Sequence, residues 1–114
     1  MDSIRKSQQE LCQKFGALFM EPHVQLKIGL SRSFDVGKYP INGLRHPPEG
    51  DTTGWYIWSG KWSDAPDFFQ PHHLYHIYAQ YPDLIKYLGL PAGWRFLFAP
   101  DYEDVWEDRN PFNI

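Results

Sequence analysis

Apolar residues near the N-terminus recur at helical intervals. Ile4, Leu11, Phe15 and Leu18 are spaced by seven, four and three positions, and Cys12 and Phe19 widen the stripe. This predicts a helix over residues 3–19, capped by Ser3 and ended by Glu21-Pro22, because the residue before a proline avoids the α region. In "HVQLKIGL" the period changes to two: Val24, Leu26, Ile28 and Leu30 share one face, which predicts a strand. Residues 31–53, rich in Gly, Pro and Asn, read as a long ordered loop with a short strand at Ile41–Leu44. "GWYIWSG" is a strand with both faces apolar, Trp55 and Ile57 on one and Tyr56 and Trp58 on the other. Leu74, Ile77, Tyr78 and Tyr81 restore helical spacing over residues 72–81, with Pro71 in the first turn. Pro82 opens a second short helix with Gly89 as its C-terminal cap. "GWRFLFAP" is a further strand, and the tail pairs as an edge strand near Val105. Strands and helices in separate runs predict an α+β fold: a single domain over residues 1–114, with a small antiparallel sheet packed against the N-terminal helix and one or two central helices.

Composition sharpens this picture in one respect. Aromatic residues make up 18% of the chain, and each buries roughly 150–250 Å² at low side-chain entropy cost, which helps a small core. That does not explain why Trp55, Trp58 and Trp62 fall so close together. Cys12 is the only cysteine, so no intramolecular disulfide forms, and a reducing cytoplasm is the expected setting. The N-terminus has no signal-like apolar run and no segment is long enough to span a membrane, so no membrane partner is expected.

Charge is distributed unevenly. Residues 1–47 carry seven Lys/Arg against four Asp/Glu, and residues 48–114 carry four against ten. Five of those ten acids, Asp101, Glu103, Asp104, Glu107 and Asp108, lie in "DYEDVWED". An acidic half argues against nucleic acid as a ligand, since phosphate binding needs cations, and suits a basic protein partner.

Catalytic constellations are weak. "HHLYH" sets His72 and His76 four apart on the predicted helix, a metal-ligand spacing, with His73 between them, but no third or fourth ligand and no glutamate base accompany them. The role of these histidines stays open, and no metal or cofactor is implied. Cys12 on an apolar helix flank reads as a small buried hydrophobe rather than a nucleophile. Carboxylate pairs drawn from Asp64, Asp67 or the tail match no glycosidase pattern, and no phosphate loop or nucleophile elbow is present.

The tryptophans allow three uses: core, a stacking platform for a carbohydrate or other planar group, or the anchor of a protein interface. Trp55 is expected in the core. Trp58 and Trp62, flanked by Ser59, Lys61, Ser63 and Asp64, are the candidates for the surface. The charged loop holding Arg45, Glu49 and Asp51 completes a partner-binding set with Asp64 and the five tail acids.

Together, "HPPEGDTTGWYIWSG", the run "DFFQPHHLYHIYAQYPDLIKYLGLPAGWRFLF" and the acidic "YEDVWED" resemble the bacterial immunity-protein family numbered thirty-three, formerly a domain of unknown function. The resemblance rests on Gly54-Trp55 to Ser59-Gly60, His73 to His76, Pro82 to Pro91 and Gly93-Trp94-Arg95-Phe96, and covers about residues 41–108. It implies a small cytosolic, non-enzymatic α+β protein that neutralises a cognate toxin by binding it. It carries no catalytic residues and does not name the toxin. The alternative is a small-ligand module in which Trp58 and Trp62 stack on a sugar or planar group.

Overall fold

Gly16 ends the first helix sooner than the apolar stripe predicts. At φ 74° it takes the left-handed conformation, and the N–H of Ala17 turns back to the carbonyl of Cys12 at 2.8 Å. The computed structural model describes residues 2–108, so residues 1 and 109–114 of the expected domain lie outside the described residues. Helix α1 spans Asp2–Phe15, which places Ser3 inside the helix and not at its cap. Leu18, expected on the stripe, is 83% exposed.

Six strands follow, with two helical segments between the fourth and fifth. They are β1 (Lys27–Ser31), β2 (Ile41–Arg45), β3 (Thr52–Ser59), β4 (Phe69–His73), β5 (Trp94–Ala99) and β6 (Tyr102–Glu107). Between β4 and β5 lie α2 (Leu74–Gln80) and a 3-10 helix (Pro82–Tyr87). The strands form one sheet in the order β4-β1-β3-β2-β5-β6. Every neighbouring pair is antiparallel except β1–β3, which is parallel.

The α+β class and the helices packed on a sheet are as expected, and several local features differ. The alternating run starts its strand at Lys27, because His23 to Leu26 form a turn closed by Leu26 N–H on the His23 carbonyl at 3.0 Å. The segment expected to be mostly loop contributes β2, which sits inside the sheet between β3 and β5. Residues 69–73 are strand, so Pro71 and His72 precede the helix rather than open it. Gly89 has no left-handed backbone to act as a cap; a Cβ there would come within 2.8 Å of Gln8 and Phe19, so its role is to let α1 and the Phe19 ring approach closely.

The helices cover one sheet face only. Ile28, Leu30, Ile41, Trp55, Ile57, Phe96 and Val105 point to that side and pack with Leu11 and Cys12 of α1, Leu74 and Ile77 of α2, and Leu84 and Tyr87 of the 3-10 helix. The Tyr87 ring stacks nearly parallel on both Phe96 and Phe98, with centroid distances of 4.5 and 5.2 Å. Gln8 is also buried here and donates to Tyr78 Oη and the Ile85 carbonyl, tying α1 to the 3-10 segment.

Candidate functional site

A strand of period two sends its other residues to the opposite face. On this sheet those are Phe69, Tyr56, Trp58, Asn42, Leu44, Arg95, Leu97, Asp104 and Trp106, as the cross-strand partners show. Among the described residues, no helix lies over them. Their own bulk, with the segment that follows β3, forms the cover: Trp62 meets Trp58, Phe68 and Phe69 at centroid distances of 5.2, 5.5 and 5.7 Å. Tyr56 contacts Phe69 and His46, each at 5.1 Å. The density of aromatics therefore has a physical cause: large rings close a face that no second helical layer shields.

This layer decides the tryptophans. Trp55 is core at 1% exposure, its indole N–H donating to the Leu88 carbonyl at 3.0 Å. Trp58 is only 5% exposed, which corrects its assignment as a surface anchor; β3 is held between β1 and β2, and Trp62 and Phe69 cover the ring. Trp58 and Trp62 also meet edge to face, so they form no two-ring stacking platform. Trp62 is the exposed member, at 43%. Beside it opens a cleft of about 440 Å³ lined by His46, Tyr56, Trp62, Asp64, Phe68 and Phe69.

Arg45, expected at the partner surface, is also corrected. It is 1% exposed and points to the helical side of the sheet, donating to the carbonyls of Met20, Leu90 and Thr53 at 2.7, 2.9 and 3.0 Å. With no carboxylate paired to it among the described residues, the guanidinium is satisfied by backbone oxygens from three segments, and its planar fork suits that task. Burial pulls its pKa down to about 10. Glu49 and Asp51, from the same loop, are exposed, but Asp51 pairs with Lys27 at 3.1 Å. The hydrogen bond to Lys27, then its charge, holds the Asp51 carboxyl below its ordinary value. That loop precedes β3, whereas Asp64 follows it, so the two acidic groups stand at opposite ends of the strand.

Strand alternation also divides the acidic tail. Asp104, opposite Leu97, lies on the helix-free face with Trp106. Glu103 and Glu107 lie on the other side, opposite Phe98 and Trp94, and Asp101 occupies the β5–β6 turn. Glu103 is bridged by Lys14 and Lys86 at 3.2 and 3.4 Å and accepts a hydrogen bond of 2.5 Å from Tyr87 Oη. That bond and the two ammonium groups hold the Glu103 carboxyl low, while burial and Glu103 push the Tyr87 hydroxyl up. Asp108 accepts from Arg95 at 3.1 Å, and the Arg95 guanidinium lies over both Trp58 and Trp106, 5.9 and 5.5 Å from their centroids. Among the described residues, Asp64 and Asp104 make no ion pair.

His46, Phe68, Phe69, Arg95 and Trp106 belong to this surface and were not singled out from the sequence. Arg95 and Trp106 were accessible to a strict reading of β5–β6 alternation; Phe69 was not, since β4 was hidden under a helical pattern. His72 lies in β4 and His76 in α2, so they share no helix face. His73 and His76 contact Tyr75 instead. Among the described residues, no three His, Cys, Asp or Glu side chains are placed to hold a metal ion, and no helix is long and apolar enough to cross a membrane. Cys12 is buried with its thiol on the Gly89 carbonyl at 3.4 Å, and desolvation raises its pKa.

A sheet closed on one side by helices and on the other by its own aromatic layer, with one exposed tryptophan beside a cleft, defines a small α+β protein whose distinctive surface is a sheet face. Residues 7–108 match the family model described as the Imm33-like domain, and the chain belongs to this family of immunity proteins, which are not enzymes and have a cognate toxin as partner. The match runs from α1 to β6, so it includes the N-terminal helix that the motif resemblance over residues 41–108 leaves outside. No curated protein and no solved structure matches the chain.

Proposed function

We propose that this protein acts in the cytoplasm by docking its helix-free sheet face onto a basic surface of the cognate toxin, covering the toxin's working groove. The observation that carries this reading is Trp62, 43% exposed at the mouth of the aromatic cleft, with Asp64 beside it and Asp104 on the same sheet face. Exposed aromatics ringed by polar groups supply most of the energy of protein interfaces, and rim acids speed encounter with a basic partner. A toxin acting on nucleic acid has such a basic groove. The site residues are then Trp62, Phe68, Asp64 and Asp104, with Trp58 and Arg95 as support beneath them.

The test is protection of cells expressing the cognate toxin domain. A Trp62→Ala/Asp64→Asn/Asp104→Asn variant, folded as judged by its melting curve, should protect poorly, with toxin affinity reduced by at least about a hundredfold, a loss on the order of 3 kcal/mol. Full protection by that variant would refute the surface.

A further inference from the structure

The sheet has two edges, β4 and β6, and they are built differently. In an antiparallel ladder, alternate residues turn their N–H and C=O groups to opposite sides. At β4, Arg32 N–H bonds the Phe68 carbonyl and Leu74 N–H the Leu26 carbonyl, on either side of the register Ile28–His72 and Leu30–Gln70. Gln70 and His72 therefore bond inward to β1, and Phe69, Pro71 and His73 turn outward. The middle outward position is a proline, which has no N–H to offer. Edges are commonly blunted this way.

At β6, Asp108 N–H bonds the Gly93 carbonyl at 2.7 Å and sets the parity. Tyr102, Asp104 and Trp106 bond inward to β5, and Glu103, Val105 and Glu107 turn their backbone groups outward. The six β5–β6 pairs run in unbroken register, the strand has no proline, and no strand lies beyond it among the described residues. What β6 has in place of a proline is negative charge. Glu103 is answered by Lys14 and Lys86; Asp104 and Glu107 are exposed. A second copy pairing antiparallel about Val105 would bring the exposed Asp104 and Glu107 of both copies to one seam, where β6 offers no Lys or Arg to answer them, and like charges across a ladder destabilise it. A strand carrying Lys or Arg opposite Glu107, which makes no ion pair among the described residues, meets the opposite situation.

We propose that the β6 edge receives a basic β-strand of the cognate toxin, which extends the sheet through main-chain hydrogen bonds to Glu103, Val105 and Glu107. The inference rests on the neutralisation reading and adds to it the manner of contact. Asp104 and Trp106 face the same side as Trp62, so the incoming strand prolongs the aromatic face. Main-chain pairing supplies affinity, and the acids select the sign of the partner and the register.

The probe is a cyclic β-hairpin peptide whose free edge alternates Lys and Val, titrated into the isotope-labelled full chain and followed by amide shifts. The largest shifts are expected at Glu103, Val105 and Glu107. Glu107→Pro, which deletes one outward N–H and leaves the β5–β6 ladder intact, should weaken binding by at least about tenfold. Glu107→Gln, which keeps that N–H, should weaken it less and flatten its salt dependence. A hairpin N-methylated along its free edge needs no variant of the protein and should not bind. Equal binding of the N-methylated hairpin, equal binding of a Glu-Val hairpin, or self-association of the protein through β6 would each overturn the proposal. Full protection against the toxin by Glu107→Pro, beside lost protection by the Trp62 variant, would remove the edge and leave the neutralisation reading standing. Hairpin binding at β6 in a protein that protects against no toxin would do the reverse.

Discussion

Replacing Arg45 with Met separates the structural role of this residue from a role in binding. Met nearly fills the space of the alkyl stem and removes the charge and every donor. The carbonyls of Met20 and Leu90 then lose the guanidinium contacts made at 2.7 and 2.9 Å, and that of Thr53 loses one at 3.0 Å; the Leu88 carbonyl keeps the Trp55 indole N–H. A buried polar group left unsatisfied costs about 1–3 kcal/mol, so two to three of them amount to roughly 2–9 kcal/mol before relaxation. Against this, Met removes the cost of keeping a cation out of water, a cost visible in the pKa pulled down to about 10. The net loss expected is about 2–4 kcal/mol, read as a lower urea midpoint with unchanged slope, and as a melting temperature down by about 10 °C or more. Toxin affinity of the folded fraction should not change, since the guanidinium lies under the helical side of the sheet. A variant as stable as the parent would refute the carbonyl-clamp argument. A stable variant that no longer binds toxin would return Arg45 to the interface.

Other consequences are equally direct. Trp55→Ala removes a fully buried ring that packs 5.5 Å from Phe96, and should cost about 3–5 kcal/mol in denaturant unfolding. Trp62→Ala removes a half-exposed ring and should lower stability by no more than about 1 kcal/mol while slowing neither expression nor refolding. Glu103→Gln tests linkage. The folded carboxyl is held below its ordinary value of 4.5, so its contribution is complete above that pH and lost as pH falls through the folded value. The stability gap between parent and variant should therefore be widest at neutral pH and close on acidification; a gap independent of pH would contradict the assignment. Cys12 should be inert to a thiol reagent in the native protein and react only on unfolding, because its sulfur is buried and its pKa raised.

The elements with unmistakable periods were legible from the chain: α1, the core faces of β1, β3 and β5, and the tail strand. What escaped was set by tertiary context. β2 is a short segment, Ile41–Arg45, in a run rich in turn-formers, and its strand state comes from pairing on both sides with β3 and β5. β4 was hidden because His72 fits a helical stripe as well as a strand that bonds Ile28. Arg45 and Trp58 misled for a shared reason: residues that favour interfaces are also the ones that can fill a demanding interior site, Arg by fanning donors to carbonyls and Trp by covering area. Among the acids, composition gave the sign of the surface, but only strand alternation parted Asp104 from Glu103 and Glu107.

Radical footprinting of the protein with and without its toxin tests the central claim most directly, because side-chain oxidation reads which faces the partner covers. The helix-free face predicts that Trp62, Phe68 and Trp106 become protected in the complex, while Tyr75 on α2 and Leu18 after α1, both exposed in the free protein, oxidise as before. Protection of Tyr75 and Leu18 with Trp62 unchanged would place the toxin on the helical side and contradict the account.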